Sequence, residues 1–202
     1  AQGNGDGHGV GIVGLHIGRE FSGRWLGDSG WALLPAAEFE GFYFAGTANA
    51  TVSDPANRLN GHVFDTSYPM DNGAFLTNVV VSLYNPSAIL SPYVGLGVGA
   101  ANISIGGADS LQVVPPEPGV NHFNSDTSSS AWGFAFQFKV GARIPLGERA
   151  YVFAEYRYLF VSSTTQTFGS TVAPGHVPTT PWTVHFGDMN NHLAVGGIGF
   201  SF

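Results

Sequence analysis

Between Ala131 and Ile144 the chain alternates with period two between side chains of two very different kinds. Even positions read Trp132, Phe134, Phe136, Phe138, Val140, Ala142 and Ile144; odd positions read Ala131, Gly133, Ala135, Gln137, Lys139, Gly141 and Arg143. Successive side chains of a strand point to opposite faces, so this segment is a strand with one bulky apolar face and one small or charged face. The first face is too apolar for water and the second carries too few charges to be a solvated surface. Any fold for this chain has to find a place for both.

The same pattern recurs along the sequence. Val152, Ala154, Tyr156, Tyr158 and Phe160 oppose Phe153, Glu155 and Arg157; Phe75, Thr77, Val79, Val81 and Leu83 oppose Asn78 and Ser82. Val94, Leu96, Val98 and Ala100 oppose Tyr93, Gly95, Gly97 and Gly99, while Glu38 and Glu40 oppose Ala37, Phe39, Gly41 and Tyr43. Helical periodicity is almost missing. The reading gives seven strands, over 9–21, 32–50, 73–85, 91–105, 131–144, 149–162 and 192–202. Short links near 85–90 and 145–148 alternate with long ones near 51–72, 106–130 and 163–190, which hold most of the prolines. That is an antiparallel meander with tight turns at one end and long loops at the other.

Charge decides which face points inward. Only 10% of the 202 residues are Asp, Glu, Lys or Arg, against roughly 25% in soluble domains. A soluble up-and-down barrel turns its bulky face inward and covers the other with charge. Here the second face is mostly Gly, Ala and Ser, which suits the crowded lumen of a narrow barrel with large side chains turned to lipid. The apolar share of 44% excludes disorder. A net charge of −7 argues against nucleic acid. With no Cys, disulfides and thiolate metal sites are excluded. No apolar run reaches the ~18 residues of a transmembrane helix. The sequence starts at Ala1 without a charged, apolar leader, so an exported chain would already have lost its signal peptide.

On this reading Glu38, Glu40, Gln137, Lys139, Arg143, Glu155 and Arg157 all point into one lumen. Buried charges persist when paired and hydrogen-bonded, and both signs occur in the set, so a salt-bridge network plugging the barrel is expected. The alternative is a narrow, gated, polar channel through the same residues.

With these residues in view, the chain resembles the small outer-membrane β-barrel family, the eight-stranded group that includes the transmembrane domain of OmpA. The resemblance rests on the terminal Ala194-Val195-Gly196-Gly197-Ile198-Gly199-Phe200-Ser201-Phe202, on Ser91 to Gly99, and on the Tyr151 to Tyr158 strand with its inward Glu155 and Arg157. It covers about residues 36–202. It implies one eight-stranded antiparallel barrel over residues 1–202 in the outer membrane of a Gram-negative bacterium, in contact with lipid and lipopolysaccharide. It also implies that Ile198, Phe200 and Phe202 form the signal read by the barrel-assembly machinery. Seven strands are one short of an even count. The eighth is expected in the first third of the chain, within 24–34, within residues 1–8, or before Ala1.

Trp25, Trp31, Trp132 and Trp182 are candidates for interfacial girdles. Trp132 and Tyr158 would mark the outer girdle, Tyr84 and Phe202 the inner one, with loop packing the simpler reading for Trp182. His62, His122, His176, His185 and His192 fall in or beside long loops. No pair has ligand spacing such as H-x-x-x-H, so solvated loop histidines are expected rather than a metal or haem site. His16 shares the small face of 9–21 with Glu20, where a lumen hydrogen bond is expected. The loop acids Asp54, Asp65, Asp71, Asp109, Glu117, Asp126 and Asp188 lack EF-hand spacing. Gly95, Gly97 and Gly99 lie in a strand with no helix after it, which excludes a phosphate loop and leaves them to make room for lumen side chains.

The expected function is therefore non-enzymatic: a structural or surface-interaction protein without cofactor, acting through its long loops on another envelope protein, a surface partner or a second copy. A small porin-like channel is the first alternative. An outer-leaflet lipid-modifying enzyme is the second, built on His192, Asp188, Ser162 and Ser163 at the rim.

Overall fold

The computed structural model describes residues 2–6, 11–53 and 61–200. Every element in it is a strand: β1 (Gln2–Asp6), β2 (Gly11–Glu20), β3 (Arg24–Trp25), β4 (Ala32–Ser53), β5 (Val63–Tyr84), β6 (Ser91–Ile105), β7 (Asp109–Val114), β8 (Ser129–Pro145), β9 (Ala150–Val161), β10 (Thr164–Phe168), β11 (Trp182–Phe186) and β12 (Met189–Phe200). The principal sheet runs β1-β4-β5-β6-β8-β9-β12, antiparallel throughout, and β10 pairs with β11 in a second small sheet.

β1, β2 and β3 do not add lateral positions. They lie end to end along one edge of β4, opposite Asn49–Ser53, Ala36–Ala45 and Ala32–Leu33 respectively. The sheet is thus seven strands wide among the described residues, and neither 24–34 nor the described part of 1–8 supplies the expected eighth. Seven antiparallel positions make the two edge strands, β2 and β12, run in the same direction. No backbone pairing joins them among the described residues.

The sheet is nonetheless strongly rolled. β4 and β9 are four strand spacings apart in the ladder, about 19 Å if the sheet were flat. Yet Arg157 Nη1 on β9 lies 2.5 Å from Glu40 Oε1 on β4, and the ring of His16 on β2 lies 5.6 Å from that of Phe153 on β9. Side chains of one face therefore meet across an enclosed interior. That interior is polar at its centre, with Phe42, Leu76 and Leu159 buried beside the charges, and many of the large apolar residues are outside. Lys139 is 2% exposed, whereas Leu15 is 85% and Phe200 71% exposed. Phe39, Phe75, Val79, Val94, Leu96, Val98, Trp132 and Phe134 complete the outer apolar belt.

The segments 51–72, 106–130 and 163–190 are not simple loops. β4 and β5 form a hairpin of two 22-residue strands, so much of 51–72 is strand. The seven residues by which β5 outruns β6 reach about 23 Å beyond it. Pro69, one of the prolines in the expected 51–72 loop, sits inside β5 where its neighbour changes from β7 to β6. Its carbonyl accepts from Gly106 N–H in the connection between those two strands. A missing N–H costs little at such a junction, which is why a proline is tolerated in a strand paired on both sides.

β7 and the β10–β11 hairpin, with the loop after β7, fold onto this projecting wall. Phe123 stacks on Phe168 at 4.7 Å, and Tyr68 meets Phe186 edge-on at 4.9 Å. Phe64 and Trp182 pack beside them at 5.9 Å. The long connections thus form an aromatic cap over one end of the rolled sheet, opposite the short turns at 85–90 and 146–149.

Candidate functional site

The interior network is built mainly by the inward faces of four strands, with Glu20 of β2 and Tyr93 of β6 added at its edges. Alternation on β4 turns Glu38 and Glu40 inward; β5 contributes Asn78; β8 contributes Gln137, Lys139 and Arg143; β9 contributes Glu155 and Arg157. All but Arg143 are buried. Lys139 Nζ lies 2.6 Å from Glu38 Oε2 and 3.8 Å from Glu40 Oε2. Arg143 reaches Glu38 at 3.0 Å and Glu20 at 3.9 Å. Arg157 bonds Glu40 at 2.5 Å and also pairs with Glu155. Tyr93 Oη donates to Glu155 at 2.7 Å, and Asn78 and Gln137 donate to Glu40 at 3.0 and 2.7 Å.

The three buried carboxylates face three bases, and the half-exposed Glu20 adds a fourth carboxylate beside Arg143. Each carboxylate meets at least one cation, which is what allows six charges to share a low-dielectric interior. Arg143 also lies over the rings of Tyr93 and Tyr151, at 4.7 and 5.4 Å from their centroids. Room for these side chains comes from β6. A Cβ at Gly97 would collide with Asn78 Oδ1, and one at Gly95 would sit 3.0 Å from both Lys139 Cγ and Val80 Cγ2. The seven charged or amide residues picked from the sequence thus meet in one cluster. Asn78, Tyr93 and Glu20 complete it. Asn78 and Tyr93 lay on the inward faces already, but their polar role depends on which carboxylate they reach.

The remaining candidates are placed as follows. Trp132 is exposed on the same cross-strand row as Tyr43, through Gly73 and Asn102. Tyr43 Oη donates to Asp71. Tyr158 is half-buried and donates to Asn190 at 2.6 Å; Tyr84 lies at the opposite end of β5. Ile198 and Phe200 are exposed on β12, and Phe202 lies outside the described residues, as does Asp54. Trp182 packs inside the cap. His16 takes an edge-on contact with Phe153 rather than serving only as a polar lumen group. Of the rim residues, His192 Nδ1 bonds Tyr156 Oη at 2.6 Å, Ser162 Oγ accepts from Phe134 N–H at 2.9 Å, and Asp188 accepts from Ser163 N–H at 2.8 Å.

The cap contains the main departure from the sequence reading. His122 is not a solvated loop residue: it is 3% exposed, walled by Phe64 at 5.0 Å and Trp182 at 6.4 Å. Glu117 and His176 converge on it, with ligand atoms all within 4.8 Å of one another. Burial in the same cap pushes the Tyr68 hydroxyl up to about 12. The three polar residues come from two connections more than fifty positions apart, so no local spacing rule could reveal them.

The chain matches no family model, no curated protein and no solved structure.

Proposed function

We propose that this chain is an integral outer-membrane β-barrel protein, its lumen closed by the charged network, acting in envelope structure or surface interaction through its cap. The observation that carries this reading is the reversal of polarity on single strands. On β8, Gln137 and Lys139 are buried while Trp132, Phe134 and Phe138 are exposed. An apolar belt of this extent is far larger than a soluble monomer leaves in water. Bilayer is the surrounding that removes its cost.

A lipid setting also bears on the open ladder between β2 and β12. Unpaired backbone groups in hydrocarbon cost several kcal/mol each, so the sheet closes there. Because the two edges are parallel, an eighth strand antiparallel to both gives the even-numbered barrel.

The test is purified protein in detergent, run unboiled and boiled on SDS gels and then inserted in a planar bilayer. A heat-modifiable, electrically silent barrel supports the plugged reading. Steady conductance that changes in Lys139→Gln or Arg157→Gln would make it a narrow channel. A protein soluble without detergent would overturn the membrane reading.

A further inference from the structure

We propose that Glu117, His122 and His176 form a binding site for a divalent transition metal of the zinc class, in the cap and apart from the lumen network. Nε2 of His122 lies 3.4 Å from Glu117 Oε2, and Nε2 of His176 lies 3.7 Å from the same oxygen. Ligand atoms around tetrahedral zinc are about 3.3 Å apart, so a small closing movement of His176 and Glu117 completes three legs of such a site.

The tautomers point the same way. His122 Nδ1 is 3.1 Å from the carbonyl oxygen of Ser110, and His176 Nδ1 is 2.7 Å from that of Val177. A carbonyl only accepts, so both Nδ1 atoms carry the proton. In the neutral rings both Nε2 lone pairs are then free, and they face a carboxylate. This is the outer-shell arrangement that orients histidine ligands on metals. His122 Nε2 is fully buried and has no hydrogen-bond partner. A buried lone pair without a donor is costly, and a cation between the three groups relieves it.

The loops hold these ligands in place. The His122 backbone N–H donates to Ser110 O at 2.9 Å, and its carbonyl accepts from Thr171 Oγ1 at 3.0 Å. His176 is brought in by a turn over Ala173-Pro174-Gly175, closed by His176 N–H to Ala173 O at 3.1 Å. Gly175 has φ of 82°, the left-handed conformation that the third position of such a turn takes. Glu117 and His176 are partly exposed, at 31% and 21%, which leaves an entry path and a fourth position for water. Two imidazoles and a carboxylate without thiolate suit zinc among common divalent ions, while calcium and magnesium prefer all-oxygen sites. Bound metal would tie the β7–β8 connection to the β10–β11 connection.

The site stands on the cap geometry and does not depend on the membrane reading. The experiment is zinc titration of the full chain, folded in detergent and freed of metal, against a chromophoric chelator, with cobalt absorption as a second readout. One zinc per chain and a tetrahedral cobalt spectrum are expected. Glu117→Gln and His176→Ala, both at partly exposed positions, should each weaken binding by more than about tenfold while keeping heat-modifiable mobility. His122→Ala should abolish it. A chain that binds no zinc overturns the proposal, as does binding that persists undiminished in Glu117→Gln and His176→Ala; an imidazolium–carboxylate pair is then the whole content of the cluster.

Discussion

Lys139 and Arg157 stand directly opposite one another on β8 and β9, two like charges at a cross-strand pair that on its own would be repulsive. They are tolerated because Glu38 and Glu40 reach from β4 on the far wall and Glu155 sits two residues along β9. The pairing across the sheet is therefore a condition of the pairing along it. A flat sheet could not hold these residues in register.

Removing Glu40 leaves Arg157 with Glu155 alone and Lys139 with Glu38 alone, so the buried set is one negative charge short. Glu40→Gln should destabilise the folded protein by about 3–5 kcal/mol, measured by urea unfolding in detergent. The double change Glu40→Leu with Arg157→Met should recover only part of that loss, because it removes an opposite pair together but leaves buried Glu155 without its cation. A Glu40→Gln protein as stable as the parent would mean that the network carries no energetic weight.

The belt gives a test with opposite outcomes in water and lipid. Leu96 is exposed in the middle of β6. On a soluble surface Leu96→Arg would be close to neutral. In a bilayer it should cost about 2–4 kcal/mol, read as a lowered folding equilibrium in lipid vesicles.

Barrel closure is readable amide by amide. In an edge strand, alternate N–H groups point away from the neighbour. If the ladder closes, all amides from Leu193 to Phe200 should be protected from hydrogen exchange in the folded protein. Protection at every second residue of that stretch only, on the β9 side, would show an open edge.

Tyr68 predicts an alkaline weakness in the cap. Its neutral phenol is the form accepted by the aromatic packing, and burial holds its pKa near 12, above the value of about 10 in an unfolded chain. The stabilisation is complete below pH 10 and lost as pH rises toward 12, about 3 kcal/mol in all. Near-ultraviolet circular dichroism should fall across that window and fall later in Tyr68→Phe. Identical curves would place the titrating group elsewhere.

Strand positions were legible wherever one face was bulky and apolar. The expectation of 91–105 coincides with β6, and 131–144 falls within β8. In the projecting hairpin that contrast is gone. Phe64, Thr66, Tyr68, Met70 and Asn72 alternate with Asp65, Ser67, Pro69 and Asp71, a mixture that reads as loop until β7 and β1 supply partners. The interior charges were legible as a set because they share strand faces. Which base meets which acid depends on the curl of the sheet, and periodicity carries no information about that. Glu117, His122 and His176 were visible individually, but their meeting depends on two turns and a cap core that only tertiary packing specifies.

The shared direction of β2 and β12 has a consequence for the living cell. Gln2 is paired with Ser53 at the far tip of the tall hairpin, while Phe200 is paired with Ala150 beside a short turn. On the proposed outer-membrane placement, with the cap facing outward, a tag fused near residue 2 would be reachable by antibody on intact cells. One fused near residue 200 would stay hidden until the outer layer was breached.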